Sequence, residues 1–178
     1  AQSSTLSLVC TGALALSPDD AQTYLPWLAS QREAGRTVVI DANLRPSVMP
    51  DLAAYRQHVL AALQYADVIK ASDEDLAWLY PHTPVEDVMR AWSQAGPSMV
   101  VVTRGPWGAY ALLSHNRDML HVDQLTVEVG DTVGAGDSFM AGLISGLIDA
   151  GFLGSAEAAG AANASHPAPC HRTPRRRT

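Results

Sequence analysis

Short apolar runs alternate along this chain with longer stretches in which apolar residues recur every three or four positions. The first pattern suits buried strands and the second suits helices that bury one face. Residues 6–10, Leu-Ser-Leu-Val-Cys, read as a short strand ending at Thr11 and Gly12. Ser17 and Pro18 then open a helix, with Ser17 as cap and Pro18 at the first helical position. Leu25, Leu28 and Arg32 keep helical spacing to about Ala34, and Gly35 stops the helix. Residues 37–40, Thr-Val-Val-Ile, form the next buried strand. Strand, helix and strand in that order make a β-α-β unit, and so a parallel sheet. Asp41, Asn43 and Arg45 then fall at the C-terminal end of a strand, where open α/β sheets bind ligands.

The alternation continues. Pro46 and Pro50 break the chain before a helix over about 52–64. Residues 66–70 are the next strand, followed by a helix carrying Leu76, Leu79 and Tyr80. A helix over about 85–95 precedes the strongest strand signal, residues 99–102. That strand ends in Thr103-Arg104-Gly105, and Pro106-Trp107-Gly108 reads as a hairpin turn. Antiparallel strands are expected at 109–113 and 119–122, and a further β-like run at 125–129. A helix over 138–150 presents Phe139, Leu143 and Leu147, with Gly142 and Gly146 allowing close packing. An alanine-rich helix is expected at 155–164. No internal repeat is visible. The order of elements predicts a three-layer α/β/α domain with a mostly parallel sheet.

Composition narrows the function classes. The chain has 178 residues, 47% of them hydrophobic and 17% charged, enough for one domain with a sizeable core. Four of its 12 basic residues are arginines in the last seven positions, so eight basic residues face 18 acidic ones elsewhere. That balance makes a poor surface for nucleic acid. Cys10 and Cys170 lie too far apart to suggest a disulfide framework or a metal site, and a reducing, cytoplasmic setting is the default. No apolar run has the length of a membrane span, and no signal peptide is visible. Residues 1–165 are expected to be one domain. Residues 166–178 hold three prolines and four arginines and read as a disordered or aberrant tail. The chain enters a strand-like run almost at Ala1, which suggests that it begins in the middle of a longer protein.

The stretch with the most chemistry is Asp131-Thr132-Val133-Gly134-Ala135-Gly136-Asp137-Ser138-Phe139. Gly134 and Gly136 leave room for a ligand against the main chain. The helix that follows starts with unpartnered amides at the positive end of its dipole, a ready site for phosphate. A carboxylate there would repel a phosphate, so Asp137 needs another job. A base that takes a proton from an attacking hydroxyl fits, with the amides holding the group under attack. The layout suits phosphoryl transfer without a P-loop lysine, and no Gly-x-x-x-x-Gly-Lys-Ser/Thr occurs. The plainer alternative is a Gly-Ala-Gly turn with an acid near a helix N-terminus.

Those nine residues, followed by Met140-Ala141-Gly142-Leu143, resemble the C-terminal signature of the PfkB (ribokinase-like) carbohydrate kinases. The resemblance extends over roughly residues 3–165. Asp41-Ala42-Asn43-Leu44-Arg45-Pro46 is similar to the family's Asp-x-Asn-x-Arg segment, most like its form in fructokinases and ketodeoxygluconate kinases. Read without the family, Asp41 and Asn43 are capping or turn residues and Arg45 a surface charge. Lys70-Ala71-Ser72-Asp73-Glu74-Asp75-Leu76 resembles the segment whose glutamate organises Mg2+ and phosphate through water; Asp75 stands at that position, with Glu74 beside it. Ser72 capping a helix with acids in its first turn explains the same residues. Thr103-Arg104-Gly105-Pro106-Trp107-Gly108 resembles the family's Thr-x-Gly-x-x-Gly turn along the nucleotide.

The resemblance implies ATP-dependent phosphorylation of a sugar hydroxyl, fructokinase-like, with ketodeoxygluconate kinase and ribokinase as neighbours. It implies Asp137 as general base and the amides of Gly134, Ala135 and Gly136 as the anion hole. It implies Thr103, Gly105, Gly108 and Asn163 at the nucleotide, Asn43 and Arg45 near the substrate, and Asp75 and Glu74 toward Mg2+. ATP and Mg2+ are the expected cofactors, and the family also admits a monovalent cation and a homodimer of the complete enzyme. The match corresponds to the C-terminal part of the family. The glycine-rich sugar-binding segment and the small β lid are expected to be missing, and a non-catalytic nucleotide-binding fragment is the alternative reading.

Overall fold

The computed structural model describes residues 7–114, 118–124 and 134–151. Six strands form one mixed sheet whose spatial order follows the sequence: β1 (Leu8–Gly12), β2 (Thr37–Asp41), β3 (Val68–Ser72), β4 (Met99–Thr103), β5 (Ala109–Leu113) and β6 (Leu120–Val122). β1 to β4 pair in parallel, and β5 and β6 close the sheet antiparallel. Parallel neighbours need long crossovers. Here these carry α1 (Ala21–Glu33), α2 (Leu52–Leu63), and the pair α3 (Asp73–Leu79) and α4 (Val85–Gln94). Among the described residues a further helix, α5 (Ala135–Asp149), follows the sheet.

Successive strand residues point to opposite faces, and the sequence is sorted accordingly. Val38, Ile40, Ile69, Ala71, Val100 and Val102 pack into the main core with Leu28, Tyr55, Val59, Leu76 and Met89 from the crossover helices. The intervening Val39 and Val68 meet Met140 and Leu147 of α5 on the other face. The expected α/β/α layering is therefore present, with α1–α4 on one side and α5 on the other. Both faces of β2 are buried, which is why it reads as an unbroken apolar run.

Several boundaries differ from the sequence reading. Pro18–Asp20 is a separate 3-10 turn capped by the Ser17 hydroxyl, and α1 begins only at Ala21. Such turns often precede an α-helix. β1 and β3 each begin two residues later than expected, because hydrophobic runs mark burial whereas the hydrogen-bonded ladder defines the strand. α5 begins at Ala135, three residues before the expected Ser138, because Gly134 caps it in the left-handed region at φ 80°. Gly136 and Asp137 thus lie in the first helical turn. The strand expected at 125–129, the helix at 155–164 and the tail at 166–178 lie outside the described residues. Among the described residues no helix is long and apolar enough to cross a membrane.

One core residue is a histidine. His58 on α2 is buried against Tyr24, and neither ring nitrogen has a hydrogen-bond partner. Burial lowers its pKa, only partly opposed by the Asp20 carboxylate. The unfolded chain then binds the proton more readily than the folded one. Stability should be complete above the ordinary histidine value of about 6.5 and should fall as pH drops below it. Urea unfolding at pH 7.5 and 5.5 checks this: His58→Gln should flatten the difference between the two midpoints.

Candidate functional site

The parallel strands all deliver their C-terminal ends to one edge of the sheet. β1 ends at Gly12, β2 at Asp41, β3 at Ser72 and β4 at Thr103. At this edge Asp41 and Lys70 are register partners across β2 and β3. Their alternation sends both side chains toward α5. Lys70 Nζ donates to Asp41 Oδ1 at 3.0 Å and to Oδ2 at 3.1 Å, and both residues are buried. Burial pushes the Asp41 carboxyl above the ordinary carboxylate range. Lys70 opposes that shift, while the charges of Asp75 and Asp137 add to it. These four charged groups therefore occupy one small region.

The segment after β2 is held by Asp75. Its Oδ1 accepts from the amide of Leu44 at 2.8 Å, and its Oδ2 accepts from the amide of Ser72 at 2.8 Å. The Ser72 hydroxyl accepts in return from the Asp75 amide, a complete capping box at the start of α3. The capping explanation of this segment is thus realised, and Asp75 is buried with both oxygens on main-chain donors. Glu74 is exposed. Asn43 adopts a positive φ of 35° and is half-buried, while the exposed Arg45 donates from Nη1 to the carbonyls of Asn43 and Leu44. Asp75→Ala would strip the acceptors from two amides. We expect a loss on the order of 3 kcal/mol, read from denaturant midpoints, since each unsatisfied buried amide costs about 1–3 kcal/mol.

Thr103-Gly108 forms a tight turn in which the Arg104 amide donates to the Gly108 carbonyl at 2.8 Å. The expected hairpin is present between antiparallel β4 and β5, and Gly105–Trp107 make one 3-10 turn within its loop. Gly108 has no substitute, because at φ 79° an added Cβ would stand 2.0 Å from the Val122 carbonyl oxygen. The Thr103 hydroxyl donates to the Ala71 carbonyl at 3.4 Å and ties the turn to β3. Beside the turn lies an open cleft of about 340 Å3 lined by Arg104, Trp107, Tyr110, His121 and Asp123. Tyr110 packs with the α1–α4 core, so this cleft faces away from α5.

At the start of α5, Gly134, Ala135, Gly136 and Asp137 are all exposed. Gly134 makes no side-chain cap, and its carbonyl accepts from the Ser138 amide at 2.9 Å. The first-turn amides and the Asp137 carboxylate therefore share one open helix end. Directly below, a Cβ placed on Gly136 would lie 3.6 Å from Lys70 Nζ.

Of the residues singled out from sequence, Gly136 and Asp137 lie near Lys70 and Asp41 at the strand ends, and Asn43 and Arg45 follow two and four residues after β2. Thr103, Gly105 and Gly108 share a turn at the end of β4. Asn163 lies outside the described residues. The Lys70–Asp41 pair was missed as a unit, although period-two alternation already places both side chains on the α5 face. Among the described residues no three His, Cys, Asp or Glu side chains cluster closely enough to hold a metal.

The comparisons with known proteins agree with this geometry. The model of the pfkB family carbohydrate kinases matches residues 2–169. A fructokinase of Klebsiella pneumoniae is 35% identical over 140 residues, which cover 78% of this chain and 45% of that protein. A fructokinase of Rhizobium leguminosarum bv. trifolii is 30% identical over 136 residues, covering 76% and 41%. A crystal structure of fructokinase from Vibrio cholerae O395 with fructose, ADP and calcium superposes with a TM-score of 0.73 at 30% identity, over 83% of this chain and 47% of that one. The fold alone is shared with a Xylella fastidiosa fructokinase bound to ATP, with a TM-score of 0.76 at 21% identity, over 90% and 50%. The chain thus spans about half the length of these relatives. With the family model matched over residues 2–169 and the sheet shared with solved fructokinases, the chain belongs to the pfkB family of carbohydrate kinases.

Proposed function

We propose that this chain carries the phosphoryl-transfer site of an ATP-dependent, fructokinase-like sugar kinase. The observation that carries the reading is the open N-terminus of α5, where Gly134 in the left-handed region lets Asp137 stand beside the first-turn amides. Asp137 takes the proton from the attacking sugar hydroxyl, and the amides of Gly134, Ala135 and Gly136 stabilise the charge that develops on the transferred group. Thr103, Gly105 and Gly108 line the path of the nucleotide, and Asn163 stands beside its base. Asn43 and Arg45, just past β2, approach the substrate.

Mg2+ on the nucleotide phosphates supplies charge neutralisation when bound. Glu74, exposed at the start of α3, would meet it through water, while Asp75 holds the 44–45 segment and the α3 terminus in place. The bound ligands of the Vibrio cholerae fructokinase, fructose and ADP, support the substrate class. A cytoplasmic setting, a site for a monovalent cation and a homodimer of the complete enzyme belong to the same reading.

Phosphorylation assays with ATP and Mg2+ against fructose, ribose and ketodeoxygluconate test it. Fructose-dependent ADP release is expected. Preference for either other sugar would reassign the substrate within the family. A second reading, nucleotide binding without turnover, is favoured by the apolar residues exposed on α5, Phe139 at 36% and Ile148 at 50%. ADP binding with no ADP release would select it.

A further inference from the structure

The sequence offered a phosphate site without the lysine that P-loop enzymes use. The fold supplies a cation from elsewhere. Lys70 sits in the middle of the sheet edge, almost fully buried, with its ammonium under the Gly134–Gly136 turn. The two are in close approach: a Cβ placed on Gly136 would stand 3.6 Å from Nζ, at ordinary van der Waals contact. A buried ammonium is costly unless it is paired, and Asp41 provides the partner through two hydrogen bonds.

We propose that Lys70 is a positioning cation beneath the anion hole: it attracts an oxyanion to the first-turn amides of α5, and Asp41 aims it through two hydrogen bonds. The inference rests on the reading of α5 as the phosphate site. Three features separate it from a structural ion pair. The pair is polarised, with the ammonium lying against the turn. The turn is open to solvent while the lysine is not, so the field acts through the helix end. Asp75 and Asp137, the other charges that act on Asp41, are both acids, so without Lys70 the local potential would oppose an anion.

The two partners should therefore act in opposite directions. Asp41→Asn removes the restraining negative charge while the amide oxygen still accepts from the ammonium, so it should raise anion affinity. The double variant Asp41→Asn/Lys70→Gln keeps a neutral hydrogen-bonding pair and removes the cation. It should weaken binding about tenfold relative to Asp41→Asn, as expected for one unit charge near a partly exposed site. Calorimetric titration of the purified chain and both variants with inorganic phosphate and with Mg2+-ADP measures this, with thermal unfolding as the check on folding. A structural role alone would weaken binding in both variants in step with stability, and equal affinities for Asp41→Asn and the double variant would overturn the proposal. Phosphate binding without ADP binding in the parent chain would contradict the nucleotide reading and leave the role of Lys70 standing. No saturable binding of either anion would overturn both.

Discussion

Asp137→Asn is expected to lower sugar-dependent ADP release by about a thousandfold, within the range that a positioned general base contributes. The substitution preserves shape and removes only the ability to accept a proton. Asp137 is exposed and lies in the first turn of α5, so its loss should leave the fold and the melting temperature essentially unchanged. It also removes a negative charge from an anion site, so ADP affinity should hold or rise slightly. That combination, lost turnover with retained binding, separates a base from a residue that merely caps a helix. Full turnover in Asp137→Asn would end the base assignment.

The second large effect concerns stability. Gly12 ends β1 opposite Asp41 with φ 144°, a conformation that residues with side chains rarely adopt. A Cβ there would stand 1.8 Å from the Asp41 carbonyl oxygen, so either the residue or β2 must move. Backbone strain and overpacking each cost about 1–3 kcal/mol, so Gly12→Ala should destabilise by roughly 3 kcal/mol or more. Because the clash falls on Asp41, it should also disturb the Lys70 pair and weaken anion binding. A denaturation midpoint within error of the parent would show that β1 and β2 are not held as closely as described.

Much of this architecture can be read from the sequence because its signals are physical. Val38 and Ile40 alternate with Val39 and Asp41, and the fold puts the first pair on the α1–α4 face and the second on the α5 face. Gly134-Ala135-Gly136-Asp137 announces an open helix end, and the fold begins α5 there. What was hidden is long-range. Ser72 and Asp75 look like a local cap, and they are one; nothing in their spacing says that Asp75 also binds the Leu44 amide, 31 positions away. Lys70 and Asp41 likewise become a pair only once the β2–β3 register is set. Helix starts also misled, because Ser17-Pro18 caps a 3-10 turn where an α-helix was expected.

The central claim is that the start of α5 receives the phosphates of a nucleotide. Titration of the isotope-labelled chain with Mg2+-ADP, followed through backbone amide resonances, tests it most directly. Saturable shifts are expected at Gly134, Ala135 and Gly136, accompanied by Thr103, Gly105 and Gly108 at the end of β4. Saturable shifts confined to other residues, such as those around the Trp107 cleft, would contradict it.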